Sequence, residues 1–173
     1  MSEALLISPG RLKSASEVHS NVDDKIITRA IITAQDIEIE MILGSKLMDK
    51  IKELITSGDI SQGANQKYKT LLEDHIENAL IYYTMEELMD LVTFKVMNKG
   101  VMAREADEAR PIGSTEMLSL KRRYRSKAEI YGDRLMRYLI QNSNLFDEYN
   151  DPDSDISSEV PRGKGFNSGF YLD

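Results

Sequence analysis

His75 is the residue of this chain that comes closest to the pattern of a metal site. Three acidic residues lie within two positions of it along the chain: Glu73, Asp74 and Glu77. The Glu-x-x-His pair that di-iron helical bundles use would require an acid at position 72, and leucine stands there. We therefore interpret His75 as a histidine on the flank of a helix, with solvated acids beside it. The sequence predicts no metal site.

The remaining chemistry-bearing residues also fail to form a catalytic pattern. His19 lies in a polar segment without a ligand-like neighbour, and the chain contains no cysteine. The segment Arg162–Gly165 resembles a phosphate loop only in composition, because no strand precedes it and no helix follows it. We accordingly expect no catalytic residue, no bound cofactor and no enzymatic activity.

Basic residues are concentrated in the segment that forms the last predicted helix. Seven basic residues stand in this segment, with only two acidic residues, Glu129 and Asp133, among them. The basic residues are Lys121, Arg122, Arg123, Arg125, Lys127, Arg134 and Arg137. Such a run is usually a solvated face. Otherwise it binds an acidic surface, either that of a protein or the phosphate backbone of a nucleic acid. Arg122, Arg123 and Arg125 are the candidate basic face.

A central helix must position these residues, and the stretch Gln66–Val92 is the best candidate for it. Its apolar residues recur at three- and four-residue steps up to Tyr83, and a second stripe on another face continues to Val92. Between the two, the run Ala79–Tyr83 is apolar on all sides, so we expect it to be buried between several helices. A kink or break near Thr84 would explain the change of face.

The other elements are predicted to be mostly helices. Ser8 with Pro9 is typical of a helix start. A helix beginning near Asp23 should break after Gln35, with Asp36 capping a short second helix. Gly44 should stop that one, and Ser45 should cap a helix to about Ser57. The last helix should begin after Gly113–Ser114 and end near Gln141, and Gly132 within it suggests close approach by another backbone.

The segment Thr93–Met102 has the pattern of a short β-hairpin. Two extended arms flank Asn98, Lys99 and Gly100, and asparagine and glycine tolerate the positive φ of a tight turn. Two strands are not stable alone, so the hairpin must pack on the bundle or pair with another chain. We predict an assembly contact at Asn98, Lys99, Gly100 and Val101.

The composition changes after Asn142. Acidic residues from Asp147 to Glu159 have no basic residue among them, and a glycine-rich aromatic stretch follows. We predict an extended C-terminal arm that becomes ordered on binding. Its anchor to a neighbouring protein would be formed by Phe166, Phe170, Tyr171 and Leu172. The predicted organisation is an N-terminal segment (1–20), a helical bundle (21–142, with the hairpin near 93–102) and the tail (143–173).

The bulk composition narrows the class of protein. With 29% charged and 41% hydrophobic residues, the chain is typical of a water-soluble domain with a real core. No apolar run approaches the roughly 20 residues that a membrane helix needs, so no membrane partner is expected. The net charge of −7 argues against a protein that binds nucleic acid with its whole surface. The fold class is therefore mainly α: a helical bundle with a short β-hairpin and an extended C-terminal arm.

Four segments together resemble a known family. In chain order they are Ala34–Gly44 with Leu47, then Ala79–Tyr83, Asn98–Val101 and Ser168–Leu172. In that order and spacing they resemble the small helical head–tail connector proteins of tailed bacteriophages, nearest the branch of Bacteroidetes phages that includes the crAss-like group.

The resemblance implies a structural virion protein that is assembled in the bacterial cytoplasm and resides in the neck of the particle. Its partners would be further copies in a dodecameric ring, the portal protein and a downstream tail adaptor. Packaged DNA would pass through the lumen without specific binding. The alternative is a helical DNA-binding or DNA-packaging accessory protein that uses the basic last helix.

Overall fold

The computed structural model describes residues 4–97, 100–103, 114–150 and 161, and these are mainly helical. The prediction of a mainly α protein is therefore confirmed. The α-helices are α1 (Pro9–Ala15), α2 (Asp24–Ala34), α3 (Glu40–Leu43), α4 (Ser45–Ser57), α5 (Gln66–Thr70), α6 (Glu77–Thr93), α7 (Ser114–Gln141) and α8 (Asp147–Asn150). Three short 3₁₀ turns lie at Asp59–Ser61, Gly63–Asn65 and Ser143–Leu145.

The first long helix runs without interruption from Asp24 to Leu43. Asp23 caps its start, since its carboxylate accepts a hydrogen bond from the backbone of Lys25. The expected break after Gln35 is wrong, because the segment Gln35–Ile39 is a π-helical turn that joins α2 to α3. The extra residue of this turn shifts the apolar stripe without ending the helix.

The side chain of Gln35, the first residue of this turn, is buried and contacts the N-terminal residues. Its amide oxygen accepts a hydrogen bond from the backbone of Leu6 at 3.2 Å, and its amide nitrogen donates one to the carbonyl of Ala4 at 3.2 Å. Both contacts bring the N-terminal residues onto the bundle. Leu6, Ile7 and Leu12 accordingly lie in the hydrophobic core, so this part of the segment 1–20 belongs to the bundle.

Gly44 separates the first long helix from α4. Its φ of 77° favours glycine, and it ends α3 as predicted. The predicted cap at Ser45 is wrong, because Gly44 holds the cap position and the hydroxyl of Ser45 donates to Glu40 at 2.7 Å. The helix nevertheless ends at Ser57 as predicted, and Gly58 (φ 78°) follows it in the left-handed region.

The central helix contains a second π-helical segment. Residues Leu71–Ile76 join α5 to α6, so that the chain is helical from Gln66 to Thr93. The change of apolar face therefore involves no break at Thr84, which lies inside α6. The prediction of a buried centre is confirmed for Ala79, Leu80, Ile81 and Tyr83, whereas Tyr82 is only partly buried. Helix α6 packs against both α2 and α7.

Close packing between α6 and α7 also explains Gly132. A β-carbon at this position would lie 3.0 Å from the hydroxyl of Tyr83 and 3.3 Å from the side chain of Ile42. The neighbour that comes close is thus a tyrosine side chain, where the sequence suggested another backbone.

Residues 143–150 are part of the bundle, which corrects their assignment to an extended tail. Phe146 and Tyr149 are fully buried, and α8 packs against α4. The ring of Phe146 meets the ring of Tyr68 edge-on, with centroids 5.7 Å apart. Two aromatic side chains three residues apart attach this acidic stretch to the core.

Two short strands follow α6. β1 (Phe94–Met97) pairs antiparallel with β2 (Gly100–Ala103), with Phe94 opposite Ala103 and Met97 opposite Gly100. The predicted turn residues Asn98 and Lys99 lie outside the described residues, and the hairpin as a whole stays a prediction.

Candidate assembly surface on the last helix

Helix α7 has one face in the core and the opposite face in solvent. Its buried side chains include Tyr124, Ala128, Leu135 and Leu139, at helical spacing. The hydroxyl of Tyr124 donates to Glu17 at 2.8 Å, and burial together with this bond raises the pKa of Tyr124 to about 12. These contacts fix the rotation of α7 and decide which residues face outward.

The opposite face forms what we name the outer stripe. Its seven residues follow one another at three- and four-residue steps and are all exposed: Leu118, Arg122, Ser126, Ile130, Asp133, Arg137 and Ile140. Leu118, Ile130 and Ile140 are three of the five large hydrophobic side chains that the described residues expose, each by about half. Since single exposed apolar residues are common but a row of them on one helix is not, the outer stripe is the best candidate for a protein contact.

Arg122 and Arg123 of the predicted basic face are exposed, as expected for a binding or solvated face. The guanidinium of Arg125, by contrast, is already paired with carboxylates of the same chain. It contacts Glu38 at 2.6 Å, Glu86 at 3.4 Å and Glu129 at 2.9 Å. Partial burial lowers the pKa of Arg125, but the hydrogen bonds to these carboxylates raise it by more, so its net pKa lies above the usual value.

This cluster joins three parts of the bundle. Glu38 lies in the first π-helical turn, Glu86 in α6, and Glu129 one turn further along α7. The guanidinium of Arg125 also lies 5.4 Å from the centre of the Tyr83 ring. Arg125 therefore stabilises the packing of the bundle, and the prediction that it belongs to a free basic face is wrong.

A groove runs along the side of α7 that faces the second π-helical segment. Its volume is about 490 Å³. One wall is formed by Asp74, His75 and Asn78, and the other by Tyr131, Arg134, Arg137 and Tyr138. We name it the α7 groove.

His75, in one wall of the groove, makes an aromatic contact with the other wall. Its ring stacks on Tyr138 with centroids 3.8 Å apart and planes 22° apart. Burial lowers the pKa of His75, while the carboxylate of Asp74 opposes this shift. The histidine thus packs against an aromatic ring on the flank of the helix.

A stack of aromatic rings and cations continues along the seam between α6 and α7. Tyr82 and Tyr131 stack with centroids 5.3 Å apart. Lys127 lies 5.1 Å from the centre of the Tyr82 ring, and Arg134 lies 5.1 Å from that of Tyr131. A cation that lies over an aromatic face is held in place without a carboxylate that would neutralise the local charge. Arg134 is therefore positioned at the groove as a cation.

The other predicted contact residues fall largely outside this region. Phe166, Phe170, Tyr171 and Leu172 lie outside the described residues, as do Asn98 and Lys99. For Gly100 and Val101 the structure describes the backbone, within β2. Our sequence-based predictions did not include the outer stripe or the groove. The three-residue and four-residue steps from Leu118 to Ile140 could have indicated the stripe.

Across residues 4–97, 100–103, 114–150 and 161, no group of three or more histidine or acidic side chains is placed to hold a metal ion. Within the same ranges, no helix is both long and apolar enough to cross a bilayer.

A protein-family model matches residues 39–158, which extend from the first π-helical turn past α8. The chain belongs to this family, which is described as a family of unknown function (DUF6712). No curated protein matches the chain. No solved structure matches it either. The family therefore covers the candidate surface but assigns no activity to it.

Proposed function

We propose that this DUF6712 protein is a structural component of a phage neck. Copies of the chain would form a ring below the portal and join the capsid head to the tail. The observation that carries this proposal is the outer stripe, because half-exposed apolar side chains that share one helix face with arginines fit a contact between subunits. The resemblance of four sequence segments to head–tail connector proteins supports it independently.

The short strand pair gives the ring a second contact. Among the described residues β1 and β2 pair only with each other, so each strand has an open edge. Open edges can accept a strand from another chain. In the proposed ring, Asn98, Lys99, Gly100 and Val101 contact the next subunit.

The C-terminal arm supplies the contact with the portal. Phe166, Phe170, Tyr171 and Leu172 are aromatic or apolar residues separated by glycine, and aromatic side chains dominate the binding energy of many interfaces. The ring would bind the portal on one side and the downstream adaptor on the other, with DNA passing through its lumen.

Negative-stain imaging of the full-length protein, alone and with the portal protein encoded in the same genome, tests this function. We expect rings, or ring-shaped density added to the portal. Ile130→Asp with Ile140→Asp should reduce this assembly while the melting temperature stays close to that of the wild type. Ile37→Asp is the matched control, because Ile37 is equally exposed but lies outside α7. A wild-type protein that neither self-associates nor binds the portal would contradict the proposal.

A DNA-binding accessory protein is the second candidate, favoured by the exposure of Arg122 and Arg123. Affinity for duplex DNA that falls steeply with log salt, and is lost in Arg122→Glu with Arg123→Glu, would support it. Arg125 is left unchanged in this variant because its loss would disturb the bundle. If the same variant weakens ring assembly in a salt-dependent way and binds DNA no worse, the connector function is favoured.

A further inference from the structure

We infer that the α7 groove is the docking site for an extended acidic segment, supplied by residues 151–160 of a second copy of this chain. The inference rests on the proposed ring, and it deepens that function by assigning both sides of one subunit contact.

The charges of the groove favour an anionic ligand. Arg134 and Arg137 are exposed on one wall, whereas Asp74 is the one carboxylate among the described residues that line it. His75 does not change this balance at neutral pH, because burial lowers its pKa. The two guanidinium groups therefore give the groove a net positive charge, although the chain as a whole carries −7.

The aromatic surfaces of the groove favour a ligand that carries apolar groups as well as negative charge. The stacked pair of His75 and Tyr138, together with Tyr131, offers ring faces beside the two arginines. A matching segment should carry carboxylates on one side and apolar groups on the other.

Residues 151–160 have this alternation. Asp151, Asp153 and Asp155 alternate with Pro152, Ser154 and Ile156. In an extended backbone, successive side chains point to opposite sides. When the segment binds in this conformation, its three aspartates can face the arginines while Pro152 and Ile156 contact the tyrosines.

The proposed ring contact would place a second copy of the chain beside the groove. Arg137 belongs both to the groove and to the outer stripe, so the two surfaces are continuous on α7. A copy that covers Ile130 and Ile140 on the outer stripe lies next to the groove. Because a heterologous contact that repeats around an axis closes into a ring, each copy gives its segment to the next one.

A charge exchange between two full-length variants tests this inference. The first variant carries Arg134→Glu and Arg137→Glu, and the second carries Asp151→Lys, Asp153→Lys and Asp155→Lys. Each alone should self-associate roughly tenfold more weakly than the wild type in analytical ultracentrifugation, as loss of exposed charge pairs within a network predicts. Mixing the two should restore association, since every groove then meets a segment of opposite charge. Circular dichroism melting confirms that both variants fold.

A peptide with the sequence of residues 150–160 gives a readout that does not depend on ring formation. Labelled with a fluorophore, it should bind the full-length wild type in low salt, and binding should be lost in the first variant. Arg122→Glu with Arg123→Glu is the matched control, because it makes the same charge change on α7 outside the groove.

The possible failures are distinguishable. If the wild type assembles and binds the portal, but both charge variants assemble equally well, the groove inference is overturned and the proposed function stands. If the mixture fails to restore association, or if a single-stranded oligonucleotide binds the groove in place of the peptide, the second copy is not the donor. If peptide binding fails and the wild type also forms no ring, both proposals are wrong.

Discussion

The residues at the centre of α6 show why a single side chain can determine whether this protein folds. Leu80 has no exposed surface, and the helices α2 and α7 pack against the helix that carries it. An unpaired carboxylate at such a site cannot be hydrated, and its burial costs several kcal/mol. This is a large part of the roughly 5–15 kcal/mol by which domains are stable.

We therefore expect Leu80→Asp to unfold the protein at room temperature, as measured by circular dichroism. Leu118→Asp is the matched control, since Leu118 is half exposed on the outer stripe, and it should melt within a few degrees of the wild type. A wild-type melting curve for Leu80→Asp would mean that the core has been assigned to the wrong helix.

His75 gives the folded protein a dependence on pH that can be isolated by substitution. Burial lowers the pKa of His75 in the folded state, so the unfolded state binds a proton more readily. The free energy of unfolding must then fall as the pH decreases through the usual histidine pKa near 6.5, and the loss is complete below the folded pKa.

His75→Phe should keep the stack on Tyr138 and remove this contribution. We expect the variant to lose less stability than the wild type between pH 7.5 and pH 5, measured by urea unfolding at each pH. His19→Gln serves as the control, because His19 is exposed and the His75 contribution remains in that variant. Identical pH dependence in His75→Phe and the wild type would show that His75 is protonated equally well in both states.

At the scale of elements, the π-helical turn at Gln35–Ile39 shows what a local sequence pattern leaves open. The apolar stripes correctly predicted helices on both sides of this turn. A slip in the stripe, however, is equally consistent with a break and with one additional residue in a turn. What decides between them is tertiary: Gln35 is buried and hydrogen-bonded to the N-terminal residues, a contact across 29 positions. A local pattern does not contain that information.

We expect Gln35→Leu to release the N-terminal segment. The buried N–H of Leu6 would lose its acceptor, which costs about 1–3 kcal/mol. Trypsin should then cleave at Arg11 and Lys13 faster than in the wild type, while cleavage within α4 stays slow. Gln62→Leu is the matched control because Gln62 is exposed, and its cleavage should follow that of the wild type. Unchanged cleavage at Arg11 in Gln35→Leu would mean that Leu6, Ile7 and Leu12 hold the segment without the amide.

The same limit applies to Arg125 and to residues 143–150. Arg125 belongs to a basic run, so its sequence neighbours suggested a free face, but its partners Glu38 and Glu86 are 87 and 39 positions away. Phe146 and Tyr149 lie in or next to an acidic stretch whose composition favours a disordered tail, yet both of their rings are buried in the core. In both places long-range packing outweighs local composition. Where burial follows from local spacing alone, as in Ala79–Ile81 or in α4, the prediction and the structure agree.

For the whole molecule, the question is whether the C-terminal arm stabilises the bundle or binds a partner. Phe166, Phe170, Tyr171 and Leu172 are too few to form a core, and glycines interrupt them. An anchor of this kind binds by inserting rings into pockets of another surface, and it loses its conformational freedom only on binding. If that is its role, the bundle should not depend on it.

We therefore expect a chain that ends after Pro161 to melt within a few degrees of the full-length protein but to lose stable association with the portal protein. The truncation is placed there because Pro161 is buried, so that removing it would disturb packing. Full-length Phe170→Ser with Tyr171→Ser should reproduce the loss, which separates the aromatic rings from the length of the arm. Portal pull-down and thermal melting are measured on the same samples. If the melting temperature falls clearly and portal binding falls only in proportion to unfolding, the arm packs on its own bundle. The outer stripe would then be the remaining candidate for the portal contact.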